Sequence, residues 1–92
     1  MEKLFELQKQ SGLSNRDIAA LLNVTPSMIY RYKNGVVPTR LEVQARCTKA
    51  EKLLGKCLAQ DIFPIEDAYQ RQDVLRKVWS RAVPDYKPLQ WR

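Results

Sequence analysis

The 92-residue sequence has no histidine, only two cysteines and only three glycines. Without histidine, neither a Cys/His zinc cluster nor a histidine-based catalytic triad can form. Cys47 and Cys57 lie too far apart in the sequence for a thioredoxin-type pair, and both fall within helical patterns. We therefore interpret them as small buried hydrophobic residues, and we expect no metal and no cofactor.

Other features with well-known functions are missing as well. We find no glycine-rich phosphate loop and no cluster of carboxylates that suits a pocket, so we predict that the protein is not an enzyme. No apolar run approaches the roughly 20 residues that cross a bilayer. The sequence does not open with a basic and then apolar signal peptide either. These absences predict a cytoplasmic protein.

Negative charge is in the minority, with 16 Lys and Arg against 10 Asp and Glu, which gives a formal net charge of +6. Such a balance suggests an anionic partner, of which nucleic acid is the commonest. Hydrophobic residues make up 45% of the chain and charged residues 28%, which is typical of a folded protein. A chain of this length accommodates one small domain with a modest core.

Hydrophobic residues recur at helical intervals, and we find no convincing strand, so we predict an all-α fold. The first predicted helix covers residues 2–11 and is followed by Gly12 as a stop signal. A second helix begins at Ser14, whose side chain forms a capping box with Asp17.

The third predicted helix begins at Pro26, directly after the N-cap residue Thr25. It ends near Lys33, where Asn34-Gly35 supplies a left-handed turn. Only residues 23–25 connect it to the second helix, which is too short a link for antiparallel packing. The two helices therefore cross at a steep angle, as in a helix-turn-helix.

Helical patterns continue through the rest of the sequence. The capping-box patterns TRLE at 39–42 and TKAE at 48–51 predict one helix or two abutting helices over 39–54, closed by Gly55. A short helical turn is predicted at 58–63, before Pro64. An amphipathic helix follows over 65–82, and the last ten residues are predicted to be extended.

The segment LSNRDIAALLNVTPSMIYRYKNG, residues 13–35, resembles the helix-turn-helix of the lambda repressor and Cro family, also called the XRE family. The shared pattern is Leu-Ser, two polar residues, an acid, an aliphatic residue and Ala, then an aliphatic-Thr turn, Ile, an aromatic residue and Asn-Gly. Residues 52–64 resemble, more weakly, the last two helices of the same five-helix domain. The resemblance implies a DNA-binding domain at 1–64, followed by a C-terminal helix and arm at 65–92.

In this family the third helix enters the major groove of double-stranded DNA. The positions that the resemblance turns toward the bases are Pro26, Ser27, Tyr30 and Arg31. Met28 adds a soft apolar contact, whereas Ile29 and Tyr32 pack inward. Arg31 has the best chemistry for recognition, because its guanidinium group can form two hydrogen bonds with guanine.

A second set of side chains is predicted to contact DNA phosphates: Asn15, Arg16, Thr25, Lys33, Asn34 and Arg40. The family often has an Arg in helix one that pairs with a Glu near the end of helix three. Gln8 and Lys33 occupy those positions here. Since both members of the ion pair are missing, we expect the same packing, with Lys33 free to reach a phosphate.

The C-terminal segment 65–92 has three possible roles: it covers the core, pairs with a second copy, or recruits another protein. We favour a homodimer, because two recognition helices on a partly palindromic operator read more bases than one. Side chains expected at the dimer or partner surface are Tyr69, Leu75, Val78, Trp79 and Trp91. For Tyr69 and Trp79, a place in the core is an equal alternative.

The resemblance therefore implies a sequence-specific transcription regulator, a repressor of phage or bacterial type that controls access of RNA polymerase. The alternative is a protein-interaction adaptor, either antitoxin-like or RNA-polymerase-binding. In that case the C-terminal helix and tail would hold the main partner.

Overall fold

A computed structural model describes residues 1–82, and this part of the chain contains five helices and no strand. The all-α prediction is confirmed. No helix within this range is long and apolar enough to cross a bilayer. The predicted extended tail, including Trp91, lies outside the described residues. The helices are α1 (Glu2–Ser11), α2 (Asn15–Leu22), α3 (Pro26–Lys33), α4 (Leu41–Ala59) and α5 (Ala68–Ala82).

Local sequence signals set the ends of the first three helices. The Ser14 hydroxyl accepts a hydrogen bond from the Asp17 N–H at 3.2 Å, and Asp17 Oδ2 accepts one from the Ser14 N–H at 2.9 Å. The predicted capping box is therefore present. Asn23 ends α2 with φ 57°, in the left-handed region that Asn tolerates. Thr25 is the N-cap residue of α3, although its side chain makes no capping hydrogen bond.

The fourth helix is longer than the sequence predicted. One helix, Leu41–Ala59, replaces the one or two helices expected at 39–54, and its N-cap residue is Arg40. Thr48 does not cap a helix, because it lies inside α4 and its hydroxyl donates to the Gln44 carbonyl at 3.3 Å. A Thr-x-x-Glu pattern inside a helix is therefore a false start signal.

Gly55 does not end the segment either. Leu54 and Cys57, close to it in α4, are both buried in the core. Burial of such side chains outweighs the roughly 1 kcal/mol that a glycine costs in a helix. The helix therefore continues through the glycine to Ala59.

The connection between α4 and α5 also differs from the prediction. The helical turn expected at 58–63 does not form, and Asp61 has a left-handed φ of 57° just after α4 ends. The last helix starts at Ala68 rather than at Ile65. Asp67 Oδ1 accepts a hydrogen bond from the Gln70 N–H at 2.9 Å, as an N-cap residue does.

All five helices contribute to one core. Its largest fully buried side chains include Leu4, Ile18, Leu21, Leu22, Ile29, Leu54 and Trp79. Trp79 of α5 is 0% exposed and Leu75 is also buried, which contradicts the dimer or partner surface predicted for both and confirms the alternative core position of Trp79. The chain's own core already covers both side chains. Val78 is half-buried and Tyr69 is 85% exposed, and their place at such a surface stays a prediction.

Cys47 and Cys57 are both free and buried, as the sequence indicated. Burial raises the pKa of both thiols. In the unfolded chain the thiols ionise at their ordinary pKa, whereas in the folded chain they stay neutral to higher pH. Their contribution to stability is therefore complete below the ordinary thiol pKa and is lost as the pH rises through the raised values.

We accordingly expect the free energy of unfolding to fall between about pH 8 and about pH 10, the range in which ordinary thiols ionise. Urea denaturation across this range measures the fall. The double variant Cys47→Ala/Cys57→Ala is the control. It should show a smaller fall, because the thiols are absent and only the other groups that titrate in this range remain. Equal slopes for the two proteins would contradict the expectation.

Candidate nucleic-acid interface

Helix α3 has a buried side and an exposed side. Ile29 is 0% exposed and Tyr32 is buried, as predicted from their positions. On the opposite side, Ser27, Tyr30 and Arg31 are exposed, with Tyr30 at 63%. These three residues have i, i+3 and i+4 spacing, which places them on one face of a helix. We call them the outer face of α3.

Pro26 and Met28 are both half-buried and contribute less to the outer face. Met28 lines a shallow cavity of about 390 Å³ whose walls also include Val24, Tyr32 and Val43. This cavity lies between the turn of the motif and α4. Met28 is therefore turned partly toward α4, which leaves Ser27, Tyr30 and Arg31 as the more accessible part of the predicted base-reading set.

Most of the predicted phosphate-contacting side chains are accessible. Asn15 is half-buried, and five others are exposed: Arg16, Thr25, Lys33, Asn34 and Arg40. Arg40 lies 3.6 Å from the Glu42 carboxylate, and both side chains are largely in solvent. An exposed pair of this kind contributes about 1 kcal/mol or less, so it does not keep Arg40 from another anion.

Lys33 has partners within the protein, which the missing ion pair did not suggest. Its Nζ donates to Asn15 Oδ1 at 2.7 Å and lies 5.2 Å from the centroid of the Phe5 ring. Gln8 Nε2 donates to the same Asn15 oxygen at 3.0 Å. We call this set of two hydrogen bonds the Asn15 bridge. It joins α1 and α3 through the first residue of α2, because one amide oxygen can accept from two donors.

A second contact that the sequence did not suggest ties α5 to the motif. Arg71 Nε donates to Asp17 Oδ2 at 2.8 Å, with side-chain exposures of 13% for Arg71 and 3% for Asp17. Arg71 also donates to the Ile65 carbonyl at 3.2 Å. The same Asp17 oxygen accepts the Ser14 N–H of the capping box. The C-terminal helix therefore supports the N-terminus of α2, where Asn15 and Arg16 lie.

Neither contact has a local signature in the sequence. Asp17 and Arg71 are 54 residues apart, and Asn15 and Lys33 are 18 apart. The one available signal for the Asn15 bridge was that Gln8 and Lys33 both differ from the Arg–Glu ion pair that is common in the family, which showed that this pair had been replaced. It did not show that a third residue had joined the two.

Comparison with known protein families gives a match. A family model described as helix-turn-helix matches residues 4–54, which is more than half of the chain. The matched stretch contains most of α1, all of α2 and α3 and most of α4, and with them the outer face of α3. The comparisons with curated proteins and with solved structures give no match.

Proposed function

The chain belongs to the helix-turn-helix family of the lambda repressor and Cro type, and we propose that it is a sequence-specific transcription regulator that reads double-stranded DNA with α3. The observation that carries this proposal is the two-sided character of α3. Ile29 and Tyr32 fix the helix to the core, while Ser27, Tyr30 and Arg31 face outward.

The dimensions of α3 suit the major groove. An α-helix with its side chains is about 10–12 Å in diameter, comparable to the major-groove width of about 12 Å. Arg31 is suited to a guanine edge, and Tyr30 to a sugar or a thymine methyl group. The net charge of +6 attracts the DNA backbone, and binding should weaken as salt rises because lysines and arginines release counterions.

We further propose that the protein acts as a homodimeric repressor on a partly palindromic operator. The described part of the chain measures 31 × 25 × 24 Å. Half-sites one helical turn apart are about 34 Å apart, so two copies of this size would stand side by side. Val36, Val37 and Leu41 are exposed aliphatic residues in and next to the α3–α4 connection, and they support an apolar contact there. Tyr69 and Val78 are further candidates on α5.

Selection from a random pool of DNA duplexes tests the function, with the molar mass of the bound complex measured by light scattering. An enriched motif is the expected result, and a pool without enrichment would overturn the proposal. A two-fold symmetric motif bound by two chains supports the dimer. An asymmetric motif bound by one chain would exclude it.

Arg31→Ala is expected to weaken binding to the selected site by about 1–3 kcal/mol for each half-site, because a bidentate pair with guanine is lost. Fluorescence anisotropy with the selected duplex measures the change. Arg31→Ala should also distinguish the selected site from sites with one substituted base pair less well than the unmodified protein does.

The matched control is Arg76→Ala, which removes an equal charge from an exposed position on α5. It should cost far less affinity and leave base discrimination unchanged. If the two variants lose the same affinity and both keep full discrimination, Arg31 contributes only charge and the assigned base contact is wrong.

A further inference from the structure

The side-chain amide of Asn15 has a defined orientation. Lys33 Nζ and Gln8 Nε2 lie 2.7 and 3.0 Å from the same atom of this side chain. An ammonium group only donates hydrogen bonds, so the atom that it faces must be the amide oxygen. Neither hydrogen bond uses Nδ2, which therefore remains as the donor of the group.

Both donors are themselves held in place. Gln8 is buried, and its Nε2 also donates to the Leu13 carbonyl at 3.2 Å. The Lys33 ammonium lies over the Phe5 ring, where a cation is attracted to the aromatic face. Two anchors from different helices therefore meet at one oxygen, which restricts rotation of the Asn15 side chain about its bonds.

We propose that Lys33 is a positioning residue that acts through Asn15, so that Asn15 Nδ2 is directed to a DNA phosphate before DNA binds. This inference rests on the proposed DNA-binding function. Lys33, together with Gln8, holds the oxygen side of the amide toward the protein and leaves the nitrogen side for the backbone of the duplex. Lys33 is then not itself the phosphate ligand.

The helix termini favour this division of roles. Asn15 is the first residue of α2, and the N-terminus of a helix attracts anions such as phosphate. Lys33 is the last residue of α3, and the C-terminus of a helix favours a cation in place. The hydrogen bond to Asn15 and the place over the Phe5 ring both favour this position of the Lys33 ammonium group in the free protein.

The first test uses the free protein and needs no DNA. The ¹H–¹⁵N heteronuclear NOE of the Asn15 side-chain NH₂ group reports how ordered that amide is. Lys33→Met keeps the aliphatic length over Phe5 but removes the donor, and it is expected to lower this NOE clearly. Lys33→Arg restores a donor and Lys9→Met removes an equal exposed charge from α1, and both should leave the NOE unchanged. An unchanged NOE in Lys33→Met would overturn the proposal.

The second test is a double-mutant cycle on the selected duplex, measured by fluorescence anisotropy. Asn15→Ala is expected to weaken binding about tenfold for each half-site, because it removes one hydrogen bond to a charged phosphate. Lys33→Met should lower the affinity by a similar factor, after the effect of losing one charge, measured with Lys9→Met, is subtracted. In the Asn15→Ala background, Lys33→Met should lower the affinity no more than Lys9→Met does. If the losses multiply instead, Lys33 contacts DNA independently and the positioning role is wrong.

The two tests separate this inference from the proposed function. If no DNA motif is enriched, the proposed function fails, while the NOE of the free protein still decides whether Lys33 orders Asn15. If a motif is enriched and the NOE does not change in Lys33→Met, the positioning role fails alone. Thermal unfolding of each variant tests whether a lower NOE comes from loss of the folded state.

Discussion

Trp79→Ala is expected to lower the free energy of unfolding by about 3–5 kcal/mol, the cost of removing a large aromatic side chain from a core. Trp79 is 0% exposed and packs in the cluster to which all five helices contribute. A domain of this kind has a total stability of about 5–15 kcal/mol. The variant should therefore unfold at a much lower urea concentration and lose DNA binding as its folded fraction falls.

Tyr69→Ala is the matched control on the same helix, since Tyr69 is 85% exposed. It should change the free energy of unfolding by less than about 0.5 kcal/mol. If both variants unfold at the same urea concentration as the unmodified protein, α5 is not part of the core. The burial of Trp79 also affects how a truncation is interpreted. Deletion of residues 65–92 removes Leu75 and Trp79 from the core. A loss of DNA binding in this variant would therefore report lost stability rather than a lost dimer contact.

Arg71→Met is expected to lower the free energy of unfolding by about 3 kcal/mol, because it leaves the carboxylate of Asp17 buried without its cationic partner. Asp17 is 3% exposed and Arg71 is 13% exposed, so the pair is largely shielded from water. Because Arg71 is slightly exposed to solvent, the expected loss of free energy of unfolding lies at the low end of the range for buried ion pairs. Urea denaturation measures the change.

The control is Lys77→Met, which breaks an exposed pair between Lys77 and Asp73 on the same helix. An exposed pair spaced by four residues contributes about 0.3–0.5 kcal/mol, so this variant should change little. Asp17→Asn completes a double-mutant cycle, and Arg71→Met should cost less in that background because no carboxylate is left unpaired. Equal costs of Arg71→Met in both backgrounds would contradict a direct coupling.

The prediction from sequence succeeded where the determining interactions are local. The capping box of Ser14 and Asp17 needs only residues three apart, and the family resemblance implied which residues of α3 face inward and which face outward. The short link over residues 23–25 predicted, independently of the resemblance, that α2 and α3 form a helix-turn-helix. The helix boundaries of the motif and the accessible set Ser27, Tyr30 and Arg31 were therefore predictable.

Prediction failed where distant residues decide the outcome. Gly55 is a stop signal by the local rule but not in the structure, because the local rule ignores the burial of Leu54 and Cys57. For Trp79 the sequence left both the core and a dimer surface open, because an amphipathic stripe does not say whether the chain itself or a second copy covers it. The Asn15 bridge was missed because polar side chains choose partners by position in space, and no spacing along the chain records that choice.

The ion pair between Asp17 and Arg71 also has a consequence for the order of events during synthesis. Its two members are 54 residues apart. A ribosome adds about 5–20 residues per second, so Arg71 is made roughly 3–10 seconds after Asp17. During this interval the nascent helix-turn-helix lacks both its buried counterion and Trp79. The helix-turn-helix is therefore translated before the residues that complete its core and its ion pair.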